Sequence, residues 1–328
     1  MTSPFLPGTN IQFAWDSTSL GWFKTCPRLY QYSMIEQWRS RGESVHLKFG
    51  QLYHTGLEMF DKLCATGYDH DGALNKVVHQ LLIDTWEPAT DTKPAGPWVS
   101  DHPNKTRETL IRSVIWYVDH FKDDPAQTVI LANGKPAVEL SFKMELDWGP
   151  KDYQYAKLIA DGKTPTSIEL SQPYVLCGHL DRVVNFSGGS YVMDRKTTTS
   201  TIGSNYFDQY DPDNQMSLYT LAAKIIYETP VKGVIIDGVQ IAVGFSRFSR
   251  GFTYRTDAQI DEWLIDCKSW FALAKQYATA GHWPMNDKAC HYYGGCAFRR
   301  VCSKSPEVRQ KFLEADFVKK EWNPLIPR

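Results

Sequence analysis

"CGHLDRVVNFSGGSYVMDRKTT", residues 177–198, holds two β-branched and aromatic runs around the break Ser187-Gly188-Gly189, and its reading decides the fold. Such runs on either side of a glycine-rich break are two strands joined as a hairpin. Alternation with period two sends Asp194 and Lys196 to one face of the second strand and Arg195 to the other. Asp181 shares the face of Asp194 and Lys196 if the loop is even in length, as Ser187–Ser190 would be, or carries one bulge; a regular three-residue loop puts it on the wrong face. Two carboxylates and a lysine converging at a strand end suit divalent-metal phosphodiester chemistry. The acids hold Mg²⁺ or Mn²⁺, and the lysine orients a water or offsets developing charge. The bland alternative is a surface ion pair.

Helices surround this hairpin. "FGQLYHTGLEMFDKLCATG", residues 49–67, has apolar residues at Leu52, Leu57, Met59, Phe60 and Leu63 and stops at Gly67, which suits an amphipathic helix of about four turns carrying His54. A neutral imidazole there is a further ligand or proton handler for the acids. Residues 72–87 and 104–122 read as two more helices. Ser17, Thr18 or Ser19 caps a helix that ends near Trp38, with Pro27 tolerated at or near a helix start. Downstream, "DNQMSLYTLAAKIIYETP" is a helix capped by Asp213 and stopped at Pro230, and Gln215 and Tyr219 are i, i+4 neighbours on one of its faces. The order is helices, sheet, helix, strand, helix, which is α/β or α+β rather than a doubly wound sheet.

Bulk composition narrows the class. The 328 residues are 42% hydrophobic, enough for a sizeable core, and 36 Lys plus Arg against 37 Asp plus Glu leave a net charge of −1. A uniformly basic coat is excluded, so a polyanion has to be met by a local patch. The start, "MTSPFLPGTN", lacks the basic flank and apolar core of a secretory signal, and no apolar run approaches a membrane span. A soluble, cytoplasmic protein with no membrane partner is expected. No Gly-x4-Gly-Lys-Ser/Thr loop is present, so a nucleotide-driven motor is not encoded.

Seven cysteines in a reducing compartment are ligands, nucleophiles or core residues rather than disulfides. Cys290, Cys296 and Cys302 recur at a spacing of six, and Cys26 in "FKTCPRLYQY" is the best candidate for a fourth ligand. Four thiolates suit either tetrahedral zinc or an iron–sulfur cluster. Cys64, Cys177 and Cys267 have no such spacing and read as small core residues. In "GFSRFSRGFTYR", Arg247, Arg250 and Arg255 alternate with aromatics that stack on bases. The competing reading is an ordinary two-faced strand ribbon. Arg299 and Arg300 beside the cysteines are a second basic candidate.

The series "FGQLYHTGLE", "VELSF", "CGHLDRVV", "YVMDRKTT" and "NQMSLY", in this order, resembles the RecB-like branch of the PD-(D/E)XK nucleases, a group that includes phage and CRISPR-adaptation exonucleases. The resemblance runs from Cys26 to Cys302. It implies a mixed central sheet flanked by helices, with one domain over 1–328, a helical insertion over 68–130, a catalytic core over 135–245, and a cysteine region made of residue 26 with 285–305. It implies metal ligands at His54, Asp181, Asp194 and the backbone carbonyl of Arg195. Lys196 takes the place of the catalytic lysine, with Gln215 and Tyr219 in support; Glu139 matches an acid on the preceding strand. Leu180-Asp181 stands where the family writes Pro-Asp. For the cysteines the resemblance selects a 4Fe–4S cluster stapling the N- and C-terminal regions, although the gaps here are x5 and x5 where relatives commonly have x2 and x5.

The expected activity is Mg²⁺- or Mn²⁺-dependent hydrolysis of DNA, as an exonuclease of recombination, repair or phage DNA processing, in a bacterial cell or a phage-infected host. DNA is the expected partner, with a recombination or replication protein as a further one. The rivals are a structure-specific endonuclease on the same fold, a non-catalytic DNA-binding scaffold, and a zinc-stabilised RNA-binding protein.

Overall fold

The computed structural model describes residues 3–42, 44–91, 93–149, 173–226 and 230–326. The chain divides into two compact units. One comprises Met1–Gly42, Ser141–Gly178 and Thr256–Arg328, the other Glu43–Leu140 and His179–Arg255. Each unit is assembled from stretches far apart in the chain.

The unit holding the hairpin opens with α1 (Val45–Ala65), α2 (His70–Asp84) and α3 (Arg107–His120). Phe49, Tyr53 and Leu57 recur every four residues along α1 and bury against Val77 and Leu81 of α2 and Leu110, Val114 and Tyr117 of α3. Each such side chain contributes about 1.5–3 kcal/mol on leaving water. This covers the expected helices at 72–87 and 104–122, and α1 starts one turn earlier than its apolar pattern suggests, with Ser44 at its N-cap position.

Strands β1 (Val138–Glu145) and β2 (Val175–Phe186) come next, followed by β3 (Gly189–Thr198), helix α4 (Asn214–Ile226), β4 (Val231–Ile241) and β5 (Ser246–Thr253). β1 pairs with β2. β2 and β3 are antiparallel, β3 and β4 parallel, β4 and β5 antiparallel, so the sheet is mixed. The parallel step requires a crossover, and α4 supplies it. Asp213 starts that helix as the sequence suggests, its Oδ1 accepting the N–H groups of Gln215 at 2.8 Å and Met216 at 3.0 Å. The inner strands β3 and β4 are buried on both faces, which explains their near-continuous apolar runs.

The other unit begins on Ala14–Trp15, which pairs in parallel with the first residues of β2, Ala14 opposite Val175. The cap of the following helix, Ser17–Thr25, is Asp16 and not Ser17, Thr18 or Ser19: its carboxylate accepts the Ser19 N–H at 2.7 Å while the Ser19 hydroxyl accepts the Asp16 N–H, a reciprocal box. The expected continuous helix to Trp38 is broken. Cys26 adopts extended backbone, Pro27 opens a separate turn over Pro27–Tyr30, and a π-helical turn over Gln31–Ile35 leads to a strand at Trp38–Ser40. Trp15 stacks between Tyr30 and Phe271, at 5.6 and 4.6 Å between ring centroids. Phe271 lies on the helix Asp257–Ala280, capped by Thr256 and stopped by Gly281 in the left-handed region. Among the described residues no helix is long and apolar enough to cross a membrane.

Candidate active site

The β2–β3 hairpin positions the chemistry. Asn185 pairs with Ser190 and Phe186 with Gly189, leaving a two-residue loop of Ser187 and Gly188, both at positive φ (46° and 73°). Positive φ at both positions is what a tight hairpin turn matching the strand twist demands. The loop is therefore even, and the same register carried past Arg182 opposite Met193 sets Asp181 opposite Asp194. The acids share the face expected of them.

At the end of that face Lys196 Nζ lies 3.0 Å from Asp194 Oδ1 and 2.7 Å from Oδ2, and it donates to Gln215 Oε1 at 2.9 Å. Gln215 in turn donates through Nε2 to the Tyr219 hydroxyl at 2.9 Å. The amide orientation is thereby fixed by one positive neighbour and one hydroxyl, and α4 is tied to β3. Burial pushes the Tyr219 phenol well above its usual range, so this hydroxyl stays neutral.

Asp181 sits between two donors. The main-chain N–H of Arg195 donates to its Oδ2 at 3.0 Å, and His54 Nδ1 lies 3.3 Å from the same oxygen. Burial works against its charge, but His54, Lys196 and that N–H outweigh it and bring the carboxyl down to about 2. Asp194, only 1% exposed, goes the other way: burial, reinforced by Asp181, overcomes Lys196 and pushes it up to about 6. His54 is raised because Asp181 outweighs its burial, and Lys196 is raised because Asp194 does the same.

The ligand set differs in part from the one the resemblance implies. Among the described residues, His54, Glu139 and Asp181 form the one group of three or more whose donor atoms all lie within 4.8 Å of one another. Asp194 stands beside them with its carboxylate turned to Lys196. Glu139 therefore enters the site; it starts β1 with φ at +51°, a left-handed backbone that costs a non-glycine residue about 1–2 kcal/mol. Period-two alternation along "AVELSF" gives no hint of that twist. A hard cation with bonds of about 2.1–2.4 Å draws opposed ligands to about 4–5 Å, so one nitrogen and two carboxylate oxygens at this spacing fit Mg²⁺ or Mn²⁺.

Arg195 serves through its main-chain N–H on this face, while its guanidinium, 2% exposed, crosses to the other and binds Asp61 at 2.6 Å. Asp61 also lies 3.7 Å from Arg182 and sits on α1, two turns beyond His54. The pair thus fastens the helix carrying His54 to the strand carrying Asp194 and Lys196.

The four cysteines named by spacing come together. Cys26, Cys290, Cys296 and Cys302 line one small pocket with Leu29, Met285, Phe298 and Arg299. The Asn286 N–H points at Cys26 Sγ, 3.3 Å away, and the Cys296 N–H donates to the Cys290 carbonyl at 3.1 Å. Burial pushes Cys302 up to about 11, against the pull of Arg28, with Cys296 and Cys26 adding to the rise. Cys177 and Cys267 are buried, as expected of core residues, whereas Cys64 is exposed.

The arginines of β5 divide. Arg250 makes two 2.7 Å bonds to Asp124 and lies 3.3 Å from Asp237, and Arg255, 7% exposed, is spent on Asp211, Ser217 and the Tyr210 carbonyl. Both guanidiniums are structural, which corrects their reading as strand-holding groups. Arg247, Arg299 and Arg300 are exposed.

An imidazole and two carboxylates close enough to share one cation, with Asp194 and Lys196 beside them, form a candidate metal site. The chain matches the profile of the PD-(D/E)XK nuclease superfamily over residues 17–303, and it belongs to that superfamily. No curated protein matches it. Among solved structures it is similar to one titled "Putative exonuclease" from Eubacterium rectale, at 10% identity and a TM-score of 0.49 over 91% of this chain and 92% of that one. Another, titled SSO0001, has 12% identity and a TM-score of 0.29 over 82% and 84% of the two chains.

Proposed function

We propose that the protein is a Mg²⁺- or Mn²⁺-dependent deoxyribonuclease that acts as an exonuclease. The observation that supports this most is the convergence of His54, Glu139 and Asp181 on one side of Asp194 with the Lys196–Gln215–Tyr219 chain on the other. His54, Glu139 and Asp181 would hold the cation, with Asp194 adjacent to it. When bound, a divalent ion supplies Lewis-acid charge for the scissile phosphate and the attacking water.

The residues themselves do the rest. Lys196 places a positive charge where the phosphate gains negative charge in the transition state, and Gln215 keeps that ammonium from swinging away. Asp181 is ionised across the working pH range and serves as a permanent anion. Asp194 holds the Lys196 ammonium at 2.7 Å and so keeps that charge at the site. The Asp61–Arg195 pair holds His54 in register with these groups.

For the four cysteines the proposal is a 4Fe–4S cluster. No three of their sulfurs lie within 4.8 Å of one another among the described residues, whereas a single zinc with bonds of about 2.3 Å draws four thiolates to about 3.8 Å. The resemblance to relatives with such a staple favours the cluster. It ties Cys26 to the 290–302 segment within the unit that holds both.

Digestion of linear and closed circular DNA tests the mode of action. An exonuclease degrades the linear form and leaves the circle intact in Mg²⁺ or Mn²⁺. Nicking or linearisation of the circle assigns an endonuclease instead, and cleavage of neither, in protein that retains its metals, favours the scaffold.

A further inference from the structure

Lys105 is 3% exposed, yet its ammonium has no hydrogen-bond acceptor among the described residues; it lies over the face of Phe49, 5.3 Å from the ring centroid. Burial pulls it down to about 8, and no carboxylate opposes that pull. A buried cation without a counterion is costly to keep, and when it persists an anion from solution is the natural partner.

The surroundings are donors. His102 Nδ1 accepts the N–H groups of Asn104 at 3.1 Å and Lys105 at 3.2 Å, which assigns its proton to Nε2 and leaves that N–H free to donate. The His46 ring meets the His102 ring edge to face, with centroids 4.9 Å apart. Burial lowers the basicity of His46, and the nearness of Lys105 and His102 lowers it further.

The cluster stands in line with the active site. His46, Gly50 and His54 fall at i, i+4 and i+8 on α1, one stripe of the helix, and eight residues span about 12 Å. Gly50 lies midway, where a Cβ would sit 3.8 Å from the Thr197 hydroxyl, next to Lys196. The missing side chain lets α1 lie close to β3 at this point, between cluster and centre.

We infer that Lys105, with His102 and His46, forms a subsite for a backbone phosphate of the DNA strand whose scissile bond lies at His54 and Asp181. This rests on the nuclease reading for the identity of the strand. The anion chemistry rests on the cluster alone.

The test is equilibrium binding of a fluorescent oligonucleotide in EDTA, where no cleavage occurs, at several salt concentrations. Wild type is compared with Lys105→Met, His46→Gln and the control Lys122→Met, with thermal melting in inorganic phosphate as a second arm. Lys105→Met is expected to melt higher than wild type without DNA, to bind the oligonucleotide about tenfold more weakly, and to lower the salt slope by about 0.7–0.9. His46→Gln is expected to weaken binding less, and Lys122→Met not at all. Equal affinity and slope in wild type and Lys105→Met would overturn the subsite. Stabilisation by inorganic phosphate without oligonucleotide binding would overturn its assignment to a strand. Loss of binding in Lys105→Met, from a wild type that binds but never cleaves in metal, supports the subsite and sinks the nuclease reading alone.

Discussion

The main-chain N–H of Arg195 donates to Asp181 Oδ2 at 3.0 Å, so the strand that carries Lys196 aligns the carboxylate on its neighbour. One residue thus serves both faces of β3: its amide orients an acid in the active site while its guanidinium is buried against Asp61 on the far side.

That arrangement makes Asp61 a structural keystone. Asp61→Asn removes the directly bonded charge opposite a guanidinium that is 2% exposed, leaving Asp237 as the remaining acid that acts on it. The expected cost is about 3–5 kcal/mol, read by chemical denaturation. Replacing both partners, as in Asp61→Leu with Arg195→Met, is expected to recover part of that stability, because the guanidinium leaves with its partner while Arg182 still loses the acid 3.7 Å away. A single variant as stable as wild type would show that the pair carries nothing.

Glu139 supplies a prediction independent of turnover. Glu139→Gln keeps size but removes an anion from the group within 4.8 Å. Mn²⁺ binding, followed by calorimetry or by electron paramagnetic resonance, is expected to weaken at least tenfold. Undiminished affinity would return the ligand role to Asp194.

The cysteine pocket predicts iron. Anaerobically purified protein is expected to carry about four iron atoms per chain with broad absorbance in the visible, and Cys26→Ala or Cys302→Ala to lose both. Stoichiometric zinc without iron in the wild type would contradict the cluster.

Asp124 links stability to pH. Burial opposes its charge, but the two bonds from Arg250 more than offset this, and its carboxyl is lowered from the ordinary value. A carboxyl lowered by folding contributes stability that is present above its unfolded value near 4 and is lost as pH falls through its folded value. Asp124→Asn is therefore expected to be less stable than wild type by about 1–3 kcal/mol at pH 7, with the gap closing as pH falls below the unfolded value near 4. Melting curves of the two proteins from pH 7 to pH 3 would measure it; a gap independent of pH would assign the loss to packing.

How much of this the sequence disclosed depends on the range of the physics involved. The hairpin was readable because alternation and a glycine turn are local, and they place Asp181 opposite Asp194 without knowledge of the rest of the chain. Gln215 and Tyr219 were readable for the same reason, being one helical turn apart. The meeting of Cys26 with three thiols over 260 residues away followed only from ligand chemistry and resemblance. Glu139 was named through the resemblance alone, because a left-handed residue near a strand start breaks the alternation used to aim side chains. Arg250 and Arg255 looked free because their partners, Asp124 and Asp211, lie on other elements that no pattern along β5 reveals. Asp16 was passed over as a cap because three hydroxyl residues follow it immediately.

The central claim is that the acids and Lys196 share a face because they act on one phosphate. It is tested most directly by incubating end-labelled linear single- and double-stranded DNA with wild type, Asp181→Asn and Lys196→Ala in Mg²⁺, Mn²⁺ or EDTA. The account predicts metal-dependent cleavage by the wild type, abolished by EDTA and reduced at least a hundredfold in both variants, whose melting shows them folded. Cleavage at the wild-type rate by Lys196→Ala, or by any of the three in EDTA, would contradict it.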